Sequence, residues 1–437
     1  MKRTLLCTAV VISILHGSVA FAQTEIETRI QTSRGYRLPV AVESFELGSG
    51  SASPEMLKWI ENIAEIIRGD LAFSGYFKLV LFDSLYLKLM GKGIMDLQAW
   101  SHMGAEYLCR GRVSPRGDGF RLVLKLEATG GSREVVFEKS FTGLWSKRRV
   151  TAHQISEEII LYLWGGRTNL FQTHIVASWK SGGKKNLYLF DYDGFNARPL
   201  TNYGEYNMSP CWFPAGDRLV FTSNRDNNWD LWLLLLKNNS TTRISNRPGL
   251  NSAPAVWPDG RYVVVTLSKD GNSELYLLSE SGKIARRLTH SPAIDTEPTV
   301  SPDGRHIAFS SDRLGSLQVY VMDSDGSNVR RVSFEGNYNA SPAWSPRGDK
   351  IAFASRNDRG VFDICTVLPD GTGFTRLTTR GSNENPDWSP DGYHLVYSSE
   401  RGNQKNLYTM TFDGSNERQI TTGGGYSNPA WSPYPRR

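Results

Sequence analysis

The chain has 437 residues with 50 Lys and Arg against 44 Asp and Glu, a formal net charge of +6, and it is too long for one ordinary core, so two or three domains are expected. Aromatics make up 11% and glycine counts 41 beside a moderate hydrophobic share of 39%. That mixture suits many short strands joined by tight turns and excludes disorder or a membrane bundle. The charges are interspersed, and no basic run is interleaved with aromatics, which excludes a nucleic-acid footprint.

The first residues form a targeting signal. Lys2 and Arg3 precede an apolar run from Leu5 to Leu15, and Ala20 and Ala22 set an A-x-A site. Cleavage is expected between Ala22 and Gln23, making 1–22 a signal peptide. The apolar run is too short to span a bilayer, and Cys7 has too little apolar sequence before it to accept a lipid. Losing Lys2 and Arg3 lowers the net charge from +6 to +4. No later stretch is apolar enough to span, so the mature chain is expected to be exported without inserting in a membrane. Its cysteines, Cys109, Cys211 and Cys365, are odd in number and far apart, which suits small buried side chains better than a disulfide framework.

Residues 23–35 are polar and weakly patterned, either a loose tail or an added edge strand. Ile26, Thr28 and Ile30 alternate, a pattern fit to extend a partner's sheet. Residues 36–168 suggest a compact α/β domain. "RLPVAVESFEL" predicts a strand. Ser53-Pro54-Glu55 opens a helix whose Met56, Ile60, Ile63, Ile67 and Leu71 share one face. "YFKLVLFD" predicts a strand and Asp96 to Met103 a short helix. Three further strands follow from Ala105, Gly119 and Arg133, and a helix from Ser146 to Trp164 closes the domain.

Residues 169–437 repeat. Pro210, Pro254, Pro298, Pro342, Pro386 and Pro429 are 44, 44, 44, 44 and 43 residues apart. "RPLT", "TRIS", "RRLT", "RRVS", "TRLT" and "RQIT" keep the same beat, and so do the Asp-Gly turns. That period suits four-stranded propeller blades. Trp212, Trp344 and Trp388 are expected as wedges between blades. Blade one starts at "HIVASWK" without a first strand, and the terminal "NPAWSP" supplies one, so the ring closes with no free edge. The expected architecture is an α+β multidomain chain: an N-terminal α/β domain, then a six-bladed β-propeller closed by the C-terminal strand.

No catalytic motif stands out: no G-x-S-x-G, H-E-x-x-H, C-x-x-C or P-loop. His306 and His394 share one repeat position with Arg218 and Lys350, which predicts a solvated turn. Asp259, Asp303 and Asp391 recur in phase, and an Asx turn explains them without a metal. No cofactor or metal is expected.

The "WSPDG" repeats, "FDYDG" at Phe190 to Gly194, the terminal "PAWSP", and "RLPVAVESF" with "GDLAFSGYF" together resemble the TolB family, the periplasmic propeller component of the Tol-Pal system. The likeness covers nearly the whole mature chain in the same order. It implies a non-enzymatic periplasmic adaptor between the inner-membrane protein TolA and the outer-membrane lipoprotein Pal. Such an adaptor supports outer-membrane integrity and envelope constriction at division. Other outer-membrane lipoproteins or porins are further implied partners. The TolA contact carries over to Glu25, Ile26, Thr28, Arg29 and Ile30. The Pal face carries over to Leu250, Asn251, Ala253, Thr296 and Glu297, with Leu250 where relatives often have His. The alternative is a secreted propeller hydrolase or small-ligand binder that uses the central channel.

Overall fold

A computed structural model describes residues 36–84, 96–131, 134–166, 168–202 and 206–435. The cleavage pair Ala22 and Gln23, and the segment with Glu25, Ile26, Thr28, Arg29 and Ile30, lie outside the described residues. The chain divides into two units, Met1–Thr168 and Asn169–Arg437.

In the first unit the helix starts where the capping residues stand. The Ser53 side chain accepts from the Met56 N–H at 3.2 Å, Pro54 occupies the first turn, and Glu55 complements the helix dipole of α1 (Pro54–Phe73). Ile60, Ile63, Ile67 and Leu71 are buried. The short α2 (Leu97–His102) is capped by Asp96, whose Oδ1 accepts from Ala99 N at 2.7 Å. Helix α3 (Arg148–Trp164) is preceded by a 3-10 turn at Trp145–Lys147 and ends on Gly165 at φ 77°. It packs against α1, and between them His153 Nδ1 lies 2.9 Å from Asp70 Oδ2, both buried.

Among the described residues six strands accompany these helices: β1 (Leu38–Val42), β2 (Glu46–Leu47), β3 (Phe77–Leu79), β4 (Tyr107–Arg116), β5 (Gly119–Ala128) and β6 (Val135–Leu144). Their order is β3-β1-β4-β5-β6, with β2 also on β4. Strand β1 runs parallel to β3 and β4, and β4, β5 and β6 form an antiparallel meander. "RLPVAVESFEL", expected as one strand, thus breaks into β1 and β2, and "YFKLVLFD" keeps only the three residues of β3.

In the second unit each proline-centred copy becomes the first strand of a four-stranded antiparallel sheet. Blades 2 to 6 begin at Asn207–Trp212, Asn251–Val256, Asp295–Val300, Asn339–Trp344 and Ser382–Trp388. Blade 1 takes its first strand from the chain end: Tyr426–Trp431 pairs antiparallel with His174–Ser181, with Trp431 opposite Ile175. Ser432 fastens this closure: its N donates to His174 O at 2.8 Å, and His174 N donates to Ser432 Oγ at 2.9 Å.

The repeated letters have separate physical tasks. In five blades the Ser or Thr after the fourth strand accepts a third-strand N–H, while Ser245 of blade 2 donates instead to Asn251 Oδ1 at 2.5 Å. Thr289 Oγ1 takes Leu275 N at 2.9 Å and donates to the buried Glu274 at 2.5 Å. Thr201, Ser333, Thr378 and Thr421 accept from their own third strands in the same way. The glycine turns between third and fourth strands, Asp-Gly in most blades and Ser281-Gly282 in blade 3, lie against the blade before. A Cβ on Gly282, which sits at φ 81°, would overlap the Ile244 carbonyl oxygen, so only glycine fits. The tryptophans do wedge blades together. Trp212 joins Val176 and Leu187 of blade 1 to Leu219 and Phe221 of blade 2, and its Nε1 donates to Ala430 O at 3.1 Å.

One expectation needs correction. The position of His306 and His394 is a strand start and not a turn, and it is solvated in only one of the two: His394 is 1% exposed, whereas the His306 side chain is 40% exposed. It opens a second strand and packs against the first strand of the next blade. The His394 ring lies 6.4 Å from Trp431, and His306 stacks 6.1 Å from Trp344. The Asx turns are as expected: Asp259, Asp303 and Asp391 accept from the N–H two residues on, at 2.8, 3.0 and 2.9 Å.

Candidate functional site

The six first strands line a central channel that encloses a cavity of about 420 Å³. Each strand breaks register there with a bulge. The residue before each proline, at Ser209, Ala253, Glu297, Ser341, Asn385 and Asn428, has a φ of 48° to 53°. Left-handed backbone at a non-glycine residue costs roughly 1–2 kcal/mol, least for Asn. Ala253 and Glu297 hold it without that ease. Bulges re-aim side chains at rims and sites, and strain of this kind collects at functional positions.

Within each blade, the hairpin joining strands two and three and the link to the next blade lie at the same end of the channel. Leu250, Asn251, Ala253, Thr296 and Glu297 belong to this end. Leu250 is half-buried, and its backbone is pinned to the neighbouring hairpin by Ser268: Leu250 N donates to Ser268 Oγ at 2.7 Å and Ser268 N to Leu250 O at 3.0 Å. Asn251 is fully buried. Its amide donates to Trp229 O, Arg247 O and Gly249 O at 3.0, 2.7 and 3.2 Å, so this side chain shapes the link. Ala253, Thr296 and Glu297 are half-buried. Thr296 Oγ1 lies 3.2 Å from Thr266 Oγ1. Glu297 accepts from Ser341 N at 2.8 Å, Ser341 Oγ at 3.1 Å and Ser310 Oγ at 3.0 Å, which bonds blade 4 to blade 5.

A second ring follows the prolines: Cys211, Ala255, Thr299, Ala343, Asp387 and Ala430. Its polar members alternate with alanine, and each accepts a backbone N–H from the next blade. Cys211 Sγ takes Val256 N at 3.4 Å, Thr299 Oγ1 takes Trp344 N at 3.2 Å, and Asp387 Oδ2 takes Trp431 N at 2.7 Å. Enclosure in the channel pushes the Asp387 carboxyl up to about 7, against the pull of the Trp431 and Trp388 N–H groups. Burial pushes the Cys211 thiol up to about 12, so it stays protonated. Among the described residues no cluster of three or more His, Cys, Asp or Glu could hold a metal.

The first unit has a concavity of its own, about 1220 Å³, lined by Arg110, Lys125 and Glu138 of the sheet and by Arg68 of α1. Its charges are paired: Arg110 meets Glu43 at 2.8 Å and Glu127 at 2.9 Å, and Trp100 Nε1 donates to Glu43 at 2.7 Å. Among the described residues no helix is long and apolar enough to cross a membrane.

Two family models match this chain in order: the TolB amino-terminal domain over residues 26–129 and the TolB beta propeller domain over residues 163–435. The chain belongs to the TolB family. Curated relatives called Tol-Pal system protein TolB align with it. The Desulfosudis oleivorans protein is 33% identical over 249 residues, 56% of this chain and 55% of that one. The Nitrosomonas europaea protein is 33% identical over 231 residues, 51% and 49%. The chain thus spans about half the length of the curated relatives it matches. The crystal structure of TolB from Acinetobacter baumannii superposes with a TM-score of 0.75 at 25% identity, over 91% of this chain and 97% of that one. These relatives are called Tol-Pal system proteins, not enzymes.

Against the TolB repeat, Asp387 is the residue that sequence reasoning passed over. The signal was present: one Asp at a repeat position that holds alanine in three other blades.

Proposed function

We propose that this TolB-family chain is a non-enzymatic periplasmic adaptor of the Tol-Pal system, exported by a signal cleaved between Ala22 and Gln23. It links TolA to the lipoprotein Pal and so supports outer-membrane integrity and constriction at division. Pal docks on the channel end formed by Leu250, Asn251, Ala253, Thr296 and Glu297, where Asn251 holds the link in shape and the others face the partner. TolA takes the segment with Glu25, Ile26, Thr28, Arg29 and Ile30. The observation that carries this reading is the succession of both TolB domains on one chain. The strained backbone at Ala253 and Glu297 supports the choice of face.

Calorimetric titration with the same organism's Pal tests it. Ala253→Arg and Thr296→Trp add charge or bulk at the centre of the face and weaken binding by about 2 kcal/mol or more. A chain starting at Gly35 loses TolA but keeps Pal. Full-strength Pal binding by both face variants means that the face is elsewhere.

A further inference from the structure

Blades 1 and 6 differ from the other four at the end that carries the inter-blade links. Their second and third strands are eight residues long, where those of blades 2 to 5 are six. The extra residues make two projecting hairpins, paired out to Ser181 with Lys184 and to Arg401 with Gln404. Both tips are two-residue turns with positive φ throughout: 58° and 84° at Gly182-Gly183, 57° and 63° at Gly402-Asn403. This is the turn that suits the twist of a tight hairpin.

The first hairpin places Lys180 directly opposite Lys185, with Lys184 beside them. Like charges facing each other across a strand pair destabilise the pair. Lys180 and Lys184 are exposed and have no ion-pair partner among the described residues. Lys185 is recessed: its Nζ donates to Ser427 Oγ at 3.2 Å. Burial holds its ammonium below the ordinary lysine range, Lys405 and Lys180 push it lower, and Glu384 opposes them. Lys405 reaches in from the second hairpin, where it faces Glu400 and meets Glu384 at 2.5 Å. Between the hairpins runs Gly423-Gly424-Gly425. Gly424 lies against Gln404, and the Gly425 carbonyl accepts from Lys180 N at 2.9 Å. The glycines put no side chain into this gap. Trp179 forms one wall, stacked on Tyr426 at 5.9 Å and 14°.

We infer that this lysine-walled gap between the hairpins of blades 1 and 6 is a docking site for a carboxylate-rich segment of a partner protein. Among the described residues Lys180, Lys184, Lys185 and Lys405 face Glu384 and Glu400, so the excess charge there is positive and an acidic segment is its complement. Glu384 already shows a carboxylate seated on Lys405. A flat anionic bilayer meets only the tips, Lys180 and Lys184, whereas the side chains of a peptide reach the recessed Lys185. The inference holds whichever protein carries the segment, so it stands or falls separately from the Pal face.

The test uses the full mature chain and an uncharged-ended decapeptide of alternating Glu and Ser. Lysine side-chain NMR follows Lys185, and calorimetry follows affinity. The peptide binds, raises the Lys185 pKa, and binds roughly tenfold more weakly when salt rises from about 0.05 to about 0.3 M. Lys180→Gln/Lys185→Gln abolishes this binding. Lys180→Glu replaces the like-charge pair with an opposite one, so it raises the melting temperature while removing peptide binding. No binding of the peptide overturns the inference. Capture of phosphatidylglycerol vesicles without the peptide overturns it in favour of a membrane surface, and a Lys185 response to inorganic phosphate alone overturns it in favour of a small-anion site.

Discussion

Asp387 offers a test of the closure in which the repeat supplies its own reference. Its carboxylate is enclosed in the channel, and Oδ2 accepts from Trp431 N on the strand that closes the ring. Its folded pKa is about 7, whereas an unfolded Asp titrates near about 3.9. A shift of about three units corresponds to about 4 kcal/mol at about 1.4 kcal/mol per unit. The residue is only half-buried in the channel, and screening there leaves ~1–2 kcal/mol. The folded state holds this proton more tightly than the unfolded chain, so it carries more protons between about pH 4 and about pH 7. Stability from this group is therefore highest below about pH 4, falls as pH rises, and reaches its minimum above about pH 7. Urea unfolding of wild type, Asp387→Asn and Asp387→Ala near pH 5 and near pH 8 reads the effect. Asn keeps an acceptor for Trp431 N, and alanine fills the same position at Ala255, Ala343 and Ala430. Near pH 8 the Asn variant is more stable than wild type by ~1–2 kcal/mol, and near pH 5 the gap narrows, closing only below about pH 4. Other carboxylates cancel in the comparison. An Asn variant with the wild-type pH slope refutes a strained carboxylate at this site.

Three further outcomes follow from the packing of the blades. Gly282→Ala drives a Cβ into the Ile244 carbonyl of the blade before and costs about 1–3 kcal/mol in chemical denaturation; an unchanged midpoint means the turn relaxes freely. Thr289→Val leaves Leu275 N without its acceptor and removes one hydrogen bond to the buried Glu274, and costs about 1–3 kcal/mol; an unchanged denaturation midpoint contradicts this role for the hydroxyl. Deleting Asn428 to Arg437 removes Trp431 and most of the closing strand, exposes the edges of blade 1 and produces aggregation or a lower melting temperature; cooperative melting at the wild-type temperature contradicts the shared blade.

The propeller was legible because each blade is written by local rules. Pro-Asp-Gly and Asp-Gly specify turns, alternation specifies faces, and a 44-residue beat repeated to the chain end leaves the last strand only blade 1 to complete. The helices of the first unit announced themselves by Ser53, Asp96 and apolar spacing, which act within a few residues of chain. What the blades do to one another was not legible. Nothing near His394 announces that Trp431 of blade 1 covers it, and nothing near Asp387 says that its carboxylate faces a channel and a backbone N–H 44 residues on. The lysines at 180, 184 and 185 look like an ordinary solvated run until pairing sets Lys180 against Lys185 and the next blade adds Lys405. Turn and strand preferences depend on neighbours along the chain and are written in it. Burial, pKa and charge complementarity depend on neighbours in space, and closing the ring supplies them.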